Sequence, residues 1–296
     1  KKPIAANAMA EDRWLTATQM TPQCSWCLVI FVTALASCSK TRTCSMIEIH
    51  KIANGTLTYQ DSNHRYEWNN EKVDKSVSSV AGAYPVSFSI PVAWSAALIR
   101  KELLASKEIA GVFDDADAKL AWAKAICKAP DNFTKKAGAT GTSVHKYIED
   151  LAHGLTPALD DDPAVAKCQQ SVGDWFKSNI DKVISVERRI YSERYKIAGT
   201  VDMVAKLKSG KIHVLDWKGI TKKDAGLKAG HVGQLSAYRK MLEDLGDQID
   251  GCTLVRFSRA TGEVDPINFT NNYPEDLAAF EAALVLSRYK PAAEVF

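Results

Sequence analysis

The sequence lacks the features that mark several large classes of protein. Its apolar run at residues 27–36 is interrupted only by Thr33 and is too short to cross a bilayer as a helix. Basic and acidic side chains are nearly balanced, since the sequence has 38 of the first and 35 of the second, for a net charge of +3. No internal repeat is visible, which argues against repeat architectures. Bulk charge therefore neither requires nor excludes nucleic acid as a partner, and no membrane partner is predicted.

Cysteines are few after the first 45 residues. Four of the seven, Cys24, Cys27, Cys38 and Cys44, lie in one early stretch, and the other three are scattered. Scattered single cysteines are typical of a reducing compartment, so a cytoplasmic protein is predicted. The early group leaves two further interpretations open. One is a zinc or iron–sulfur site, and the other is a secretion or lipoprotein signal, since residues 35–38 resemble a lipoprotein cleavage box.

The early stretch also differs from the rest of the chain in pattern. Residues 1–45 share no periodicity with the later residues, and Met46 opens a stretch that reads like a protein start. We therefore predict that residues 1–45 are an extension outside the fold and that residues 46–296 form one domain. A chain that starts at Met46 is expected to keep its fold and its activity.

In the remaining sequence, the spacing of apolar residues alternates between patterns typical of helices and patterns typical of strands. A hairpin is predicted at residues 59–77, around Asn69 and Asn70. Helical patterns cover residues 91–104, 116–127, 141–152, 163–178, 231–245 and 274–288, and strand patterns cover residues 183–191, 197–207, 211–217 and 252–257. Helices, a run of strands, a helix and another strand predict an α/β fold, a central mixed β-sheet flanked by helices.

One strand ends in an acid and an amine that share a face. Residues two apart in a strand point the same way, so Asp216 and Lys218 lie together while Trp217 points to the opposite face. A carboxylate that holds a divalent cation beside a lysine that orients water suits phosphodiester hydrolysis. Alone, this pair is more often a solvated strand end.

The preceding strand carries a second acid in an apolar setting. If the loop at residues 208–210 makes Leu207 pair with Lys211, Asp202 lies directly opposite Asp216 on the same face. Two facing carboxylates repel each other unless a cation or a shared proton lies between them. A magnesium site is the interpretation we favour.

Two helices repeat a four-residue spacing of polar side chains. His145 and Glu149 share a face of one helix, and Gln234 and Tyr238 share a face of another. Either pair alone is typical of a helix with a purely structural role.

In chain order these segments read G-x-x-x-H-x-x-x-E, an acidic strand, G-x-x-D, D-x-K and Q-x-x-x-Y, over residues 137–245. Together they resemble the RecB-like branch of the PD-(D/E)XK nucleases. The lead-in from Tyr66 to residues 76–78 is similar to that of phage-encoded and mitochondrial members. The resemblance implies a restriction-endonuclease-like core and a metal-dependent DNA nuclease, an exonuclease that processes DNA ends in recombination, replication or repair.

The resemblance also implies roles for individual residues. His145, Asp202, Asp216 and the Trp217 carbonyl would hold Mg²⁺, for which Mn²⁺ can substitute. Lys218 would be catalytic together with Asp202, Asp216 and Glu149, while Glu187 matches an acidic position of less fixed role. Gln234 and Tyr238 would position DNA, and candidate phosphate contacts are Arg188, Arg189, Lys222, Lys223 and Lys228, for which a solvated face is the alternative.

Some relatives of this family hold an iron–sulfur cluster with three cysteines after the core. Here only Cys252 follows it, so no cluster is expected. The expected partner is DNA, single-stranded or at duplex ends, and a single-strand annealing or binding protein is a further candidate. The alternative functions are a catalytically inactive DNA-binding member of the fold and a structure-specific endonuclease. A sequence-specific restriction enzyme is disfavoured because no recognition module is apparent.

Overall fold

The computed structural model describes residues 47–52, 54–84, 89–105, 116–221 and 227–290. The predictions for residues 1–45, including the signal and cysteine-site interpretations, and for Lys222 and Lys223, lie outside these residues. Among the described helices, none is both long enough and apolar enough to cross a membrane.

A small antiparallel sheet begins the described chain. Its strands follow one another in order: β1 (Ile47–Ile52), β2 (Gly55–Gln60), β3 (Arg65–Trp68) and β4 (Glu71–Lys72). The last two are joined by Asn69 and Asn70, whose φ angles of 50° and 68° form a two-residue turn. Asparagine tolerates this left-handed backbone better than most residues. The hairpin predicted around these two residues is confirmed, but its strands cover residues 65–68 and 71–72 and not the full range 59–77.

A larger mixed sheet comes next along the chain. Its strands are β5 (Lys75–Ser76), β6 (Ile180–Ser192), β7 (Ile197–Leu207), β8 (Ile212–Ile220), β9 (Gly251–Ser258) and β10 (Val264–Phe269). The order is β10-β9-β8-β7-β5, and β6 pairs along the other edge of β7. The β8–β9 and β5–β7 pairs are parallel and the others antiparallel.

Helices cover both faces of this sheet. They are α1 (Val77–Ala81), α2 (Ser89–Ala105), α3 (Ala116–Cys127), α4 (Ala129–Ala152), α5 (Pro163–Asn179), α6 (Ala229–Asp244) and α7 (Tyr273–Arg288). One core lies between the sheet and α1, α6 and α7, and the other between the sheet and α4 and α5. The predicted mixed sheet flanked by helices is therefore confirmed.

The edge of β7 that faces β8 changes partner along its length. It pairs with β8 from Met203 to Lys206 and with β5 at Ile197 and Ala198. Between these two pairings, residues 199–202 have no strand partner on that edge in the part of the chain that the structure describes. An open stretch in the middle of a sheet leaves room for side chains, and the candidate site lies there.

Helix α4 is longer than its sequence pattern indicated. It begins at Ala129, whereas the sequence predicted a start at residue 141. Pro130 occupies its first turn, where proline is tolerated because the missing N–H has no helical partner in any case. Gly138 and Gly141 lie inside the helix and weaken the periodic signal there.

Candidate metal centre

The site lies where β7 and β8 separate. The Leu207 N–H donates to the Lys211 carbonyl at 2.8 Å, which is the pairing that the loop length predicted. The ladder then runs to Met203 opposite Leu215 and ends there. Asp202 and Asp216 come next in the same register, one residue past the last pair. Their side chains consequently enter the gap and do not lie within a closed ladder.

Side chains take over the backbone groups that the ladder leaves free. The N–H of Trp217 donates to Oδ2 of Asp202 at 3.2 Å, and the carbonyl of Trp217 lies 2.9 Å from Nε2 of His145, which donates to it. Buried backbone groups without partners are costly, so both contacts fix the geometry of the gap. The Trp217 ring itself packs on the α4–α5 side against Trp175, opposite to Asp216 and Lys218, as strand alternation predicted.

Three potential ligands converge in this gap. One ligand atom each from His145, Glu187 and Asp202 lies within 4.8 Å of the other two. Nδ1 of His145 is 3.4 Å from Oδ2 of Asp202. Because Nε2 is the donor to Trp217, the atom that faces the carboxylate is Nδ1. Without a proton on Nδ1, the two atoms are both acceptors and need a cation between them.

Glu187 reaches the cluster from β6. Its strand neighbours Val186 and Arg188 pair with Met203 and Val201, so the register places Glu187 opposite Asp202. Burial, followed by the charge of Asp202, raises the pKa of Glu187 from 4.5 to about 7. This acid therefore shares the crowded environment that a divalent cation would relieve.

Asp216 and Lys218 form a buried pair beside the cluster. The Lys218 ammonium donates to Oδ1 of Asp216 at 2.7 Å, and the carboxylate is only 2% exposed. Burial raises the pKa of Asp216, and Lys218 opposes that shift. Burial lowers the pKa of Lys218, but the charges of Asp216 and Asp202 outweigh it and raise the pKa overall. Lys218 is therefore a protonated cation next to the gap.

The donor set fits a divalent cation. Oδ2 of Asp216 is buried and has no hydrogen-bond partner among the described residues, although its sister oxygen has two. An unsatisfied buried carboxylate oxygen is costly unless it coordinates an ion. Carboxylate oxygens with one imidazole suit cations such as Mg²⁺ and Mn²⁺. Glu149, one helical turn after His145, is half-buried beside this cluster and pairs with Lys146 at 3.2 Å.

The Q-x-x-x-Y pair supports Asp216 from α6. The Gln234 amide lies 3.3 Å from Oδ1 of Asp216, to which it donates, and Gln234 also hydrogen-bonds Tyr238. Tyr238 is 3% exposed. A Cβ at Gly199 would lie 2.6 Å from Cε1 of this ring. The glycine of G-x-x-D and the tyrosine of Q-x-x-x-Y are thus packing partners, so this position needs glycine.

Of the predicted basic residues that the structure describes, two are paired with acids and the third is exposed. Arg188 pairs with Asp247 at 2.8 Å, on the other face of β6. Arg189 pairs with Glu48 of β1 at 3.0 Å and is largely buried. Lys228, immediately before α6, is exposed.

Two residues near the gap are not marked as site residues by the local sequence pattern. Glu187 sits in a run of polar side chains, Glu187-Arg188-Arg189, in which nothing distinguishes a ligand from a solvated face. His231 lies in the first turn of α6, and burial together with the charge of Lys218 lowers its pKa to about 4. Only the register across three strands shows the position of Glu187, and no local signal marks His231.

No protein-family model matches this sequence, and no curated protein matches it. The solved structures that are similar over part of the chain include the following two. One is the crystal structure of SSO0001, with a TM-score of 0.27 and 16% sequence identity. The match covers 43% of this chain and 62% of SSO0001. A protein from Eubacterium rectale named "putative exonuclease" has a TM-score of 0.32 at 12% identity and covers 53% of this chain and 77% of its own. Likenesses at this level carry no argument about family or activity.

Proposed function

We propose that this chain is a metal-dependent deoxyribonuclease of the RecB-like PD-(D/E)XK class, which hydrolyses DNA phosphodiester bonds as an exonuclease at DNA ends. One observation carries the proposal. Glu187, Asp202 and Asp216 lie in a row across three adjacent strands, at a gap that also receives His145 and Lys218. A partly buried row of acids with one lysine suits a cation and an anionic substrate better than it suits a structural role.

The acids and the imidazole would hold the cation. Asp202, Asp216 and His145 are its proposed ligands, with Mg²⁺ as the natural metal and Mn²⁺ as a substitute. Glu187 would join them, because its carboxylate converges with His145 and Asp202. When bound, a divalent cation polarises the scissile phosphate and lowers the pKa of a coordinated water. The Trp217 carbonyl, predicted as a backbone ligand, accepts from His145 in this structure and so lies next to the same ligands.

Lys218 would supply the positive charge that faces the reacting phosphate. Its ammonium is held in place by Asp216, so the charge is fixed before substrate arrives. A preorganised cation in a site that excludes water stabilises developing negative charge and can align the attacking water. Removing one such group typically costs on the order of 100- to 1000-fold in rate.

DNA would approach from the side of α6. Gln234 is half-buried and could meet the strand, whereas the buried Tyr238 would hold Gln234 in position. The proposed phosphate contacts are Lys222, Lys223 and Lys228, which precede α6 in the sequence. Arg188 and Arg189 are already paired with acids, so they are weaker candidates for that role.

Digestion of labelled DNA tests this function. Linear single- and double-stranded substrates, labelled at the 5′ or the 3′ end, would be incubated with Mg²⁺, with Mn²⁺ or with chelator, beside a circular control. We expect cation-dependent loss of the linear substrates and survival of the circle. Cleavage of the circle would favour a structure-specific endonuclease. DNA binding without cleavage under any of these conditions would favour a catalytically inactive member of the fold.

A further inference from the structure

Glu187 has a backbone conformation that its strand does not explain. Its φ is +46°, in the left-handed region that side chains other than glycine rarely adopt. The pairs on either side, Val186 with Met203 and Arg188 with Val201, keep the regular register of β6 and β7. The left-handed conformation thus falls, within a stretch of unchanged register, on the residue whose carboxylate joins His145 and Asp202, while the register shifts of β6 lie before it, at residues 180–185. Such a conformation persists only where surrounding contacts hold it.

Arg189 supplies those contacts. Its guanidinium donates to the backbone carbonyl of Glu187, and it lies 3.9 Å from the Glu187 carboxylate. The same guanidinium donates through Nη2 to Oε1 of Glu48 at 3.1 Å, and its Nε lies 3.0 Å from Oε2 as an ion-pair contact without hydrogen-bond geometry. The planar guanidinium can pair with a carboxylate on one side and still donate to a carbonyl on another.

Glu48 and Arg189 belong to different sheets. Glu48 lies on β1 of the small sheet, 141 residues away in sequence, and the Arg189 guanidinium also stacks over the Tyr59 ring of β2 at 4.8 Å. His50 contacts the same Glu48 carboxylate at 3.2 Å. Residues of the small sheet thus fix the position of Arg189, which in turn contacts Glu187.

We propose that Arg189, anchored by Glu48, is a positioning residue that keeps the Glu187 carboxylate in the metal cluster. The inference rests on the proposed function, because it gives the small sheet a role at the same site. It also replaces the predicted role of Arg189 as a phosphate contact. Groups that orient metal ligands typically account for 10- to 100-fold in metal affinity or activity when they are removed.

The neighbouring arginine offers a matched control. Arg188 is adjacent in β6 but pairs with Asp247 on the opposite face. Glu48→Gln and Asp247→Asn both convert the acidic partner of a β6 arginine to its amide at constant shape. Only the first breaks the chain of contacts that leads to Glu187.

The experiment measures Mn²⁺ affinity by calorimetry without DNA, together with kcat and KM for cleavage, for both variants and for Arg189→Lys. We expect Glu48→Gln and Arg189→Lys to weaken Mn²⁺ binding by roughly 10-fold and to lower kcat with little change in KM. Asp247→Asn should match the parent. The Glu48→Gln/Arg189→Lys double variant should be no weaker than Arg189→Lys, because Glu48 acts through the arginine.

Parental Mn²⁺ affinity in Glu48→Gln and Arg189→Lys would overturn the positioning role, and so would an equal loss in Asp247→Asn. A lower KM for DNA in Glu48→Gln at unchanged Mn²⁺ affinity would instead make Arg189 a phosphate contact. A parent that binds Mn²⁺ but cuts no DNA would contradict the proposed function alone, since the affinity difference between variants would still support the positioning role. A parent that binds no Mn²⁺ would overturn both.

Discussion

The contact between Gly199 and Tyr238 gives a quantitative prediction about stability. A methyl group at Gly199 would lie 2.6 Å from Cε1 and 3.1 Å from the hydroxyl of Tyr238, and 3.0 Å from Cγ2 of Val77. Real Cβ atoms do not approach a ring carbon so closely, and the ring is buried on all sides. Gly199→Ala should therefore destabilise the protein by about 1–3 kcal/mol, the usual cost of overpacking a core.

Thermal unfolding measures this cost. For a domain of this size, 1 kcal/mol corresponds to about 2–4 °C in Tm, so Gly199→Ala should lower Tm by about 2–12 °C. Gly138→Ala is the control, because Gly138 lies in α4 with nothing within 4 Å of an added Cβ. That change should stabilise the helix by about 0.5–1 kcal/mol.

A second variant distinguishes the ring from other causes. Tyr238→Leu vacates the space that the new methyl group needs, so the two changes together should cost less than the sum of their separate costs. An unchanged Tm in Gly199→Ala, or strict additivity with Tyr238→Leu, would refute the packing explanation of the two motifs.

Two further predictions concern charge at the site. The pKa of Glu187 is raised from 4.5 to about 7, so the folded protein holds a proton that the unfolded chain has released between these values. The stability of the metal-free protein should then fall as pH rises from about 4.5 to about 7, and saturating Mg²⁺ should remove this decline. Thermal unfolding at a series of pH values measures it, and a rise in stability over that range would contradict the prediction. Lys218→Ala should slow cleavage by roughly 100-fold or more while calorimetry finds metal affinity equal to or slightly above that of the parent, and cleavage at the parental rate would remove Lys218 from the mechanism.

Much of the fold could be predicted from local patterns in the sequence. The loop at residues 208–210 is short, so it set the register that pairs Met203 with Leu215, and Asp202 and Asp216 come next on their strands. Helix α5 begins at Pro163 as predicted, since proline in the first turn and an aspartate cap are local signals. Strands β1 and β10 were not predicted, because both are short edge strands whose pairing partners decide their structure.

The candidate site was predictable only in part, because half of it depends on distant residues. His145, Asp202, Asp216 and Lys218 follow recognisable spacings along the chain. The contact between Arg189 and Glu48 spans 141 residues and leaves no periodic trace in the sequence. The left-handed backbone at a glutamate is likewise decided by its surroundings, since intrinsic preference disfavours it.

Single-turnover cleavage by Asp216→Ala tests the central claim most directly. The carboxylate is buried in the gap, contacts Lys218 and has one oxygen without a partner among the described residues, so its loss should remove a metal ligand. With end-labelled linear DNA and Mg²⁺, we predict a fall in rate of roughly 1000-fold, while DNA binding, followed by fluorescence anisotropy, stays the same or tightens. Cleavage by folded Asp216→Ala at the parental rate would contradict the assignment of this site as the metal centre of a nuclease.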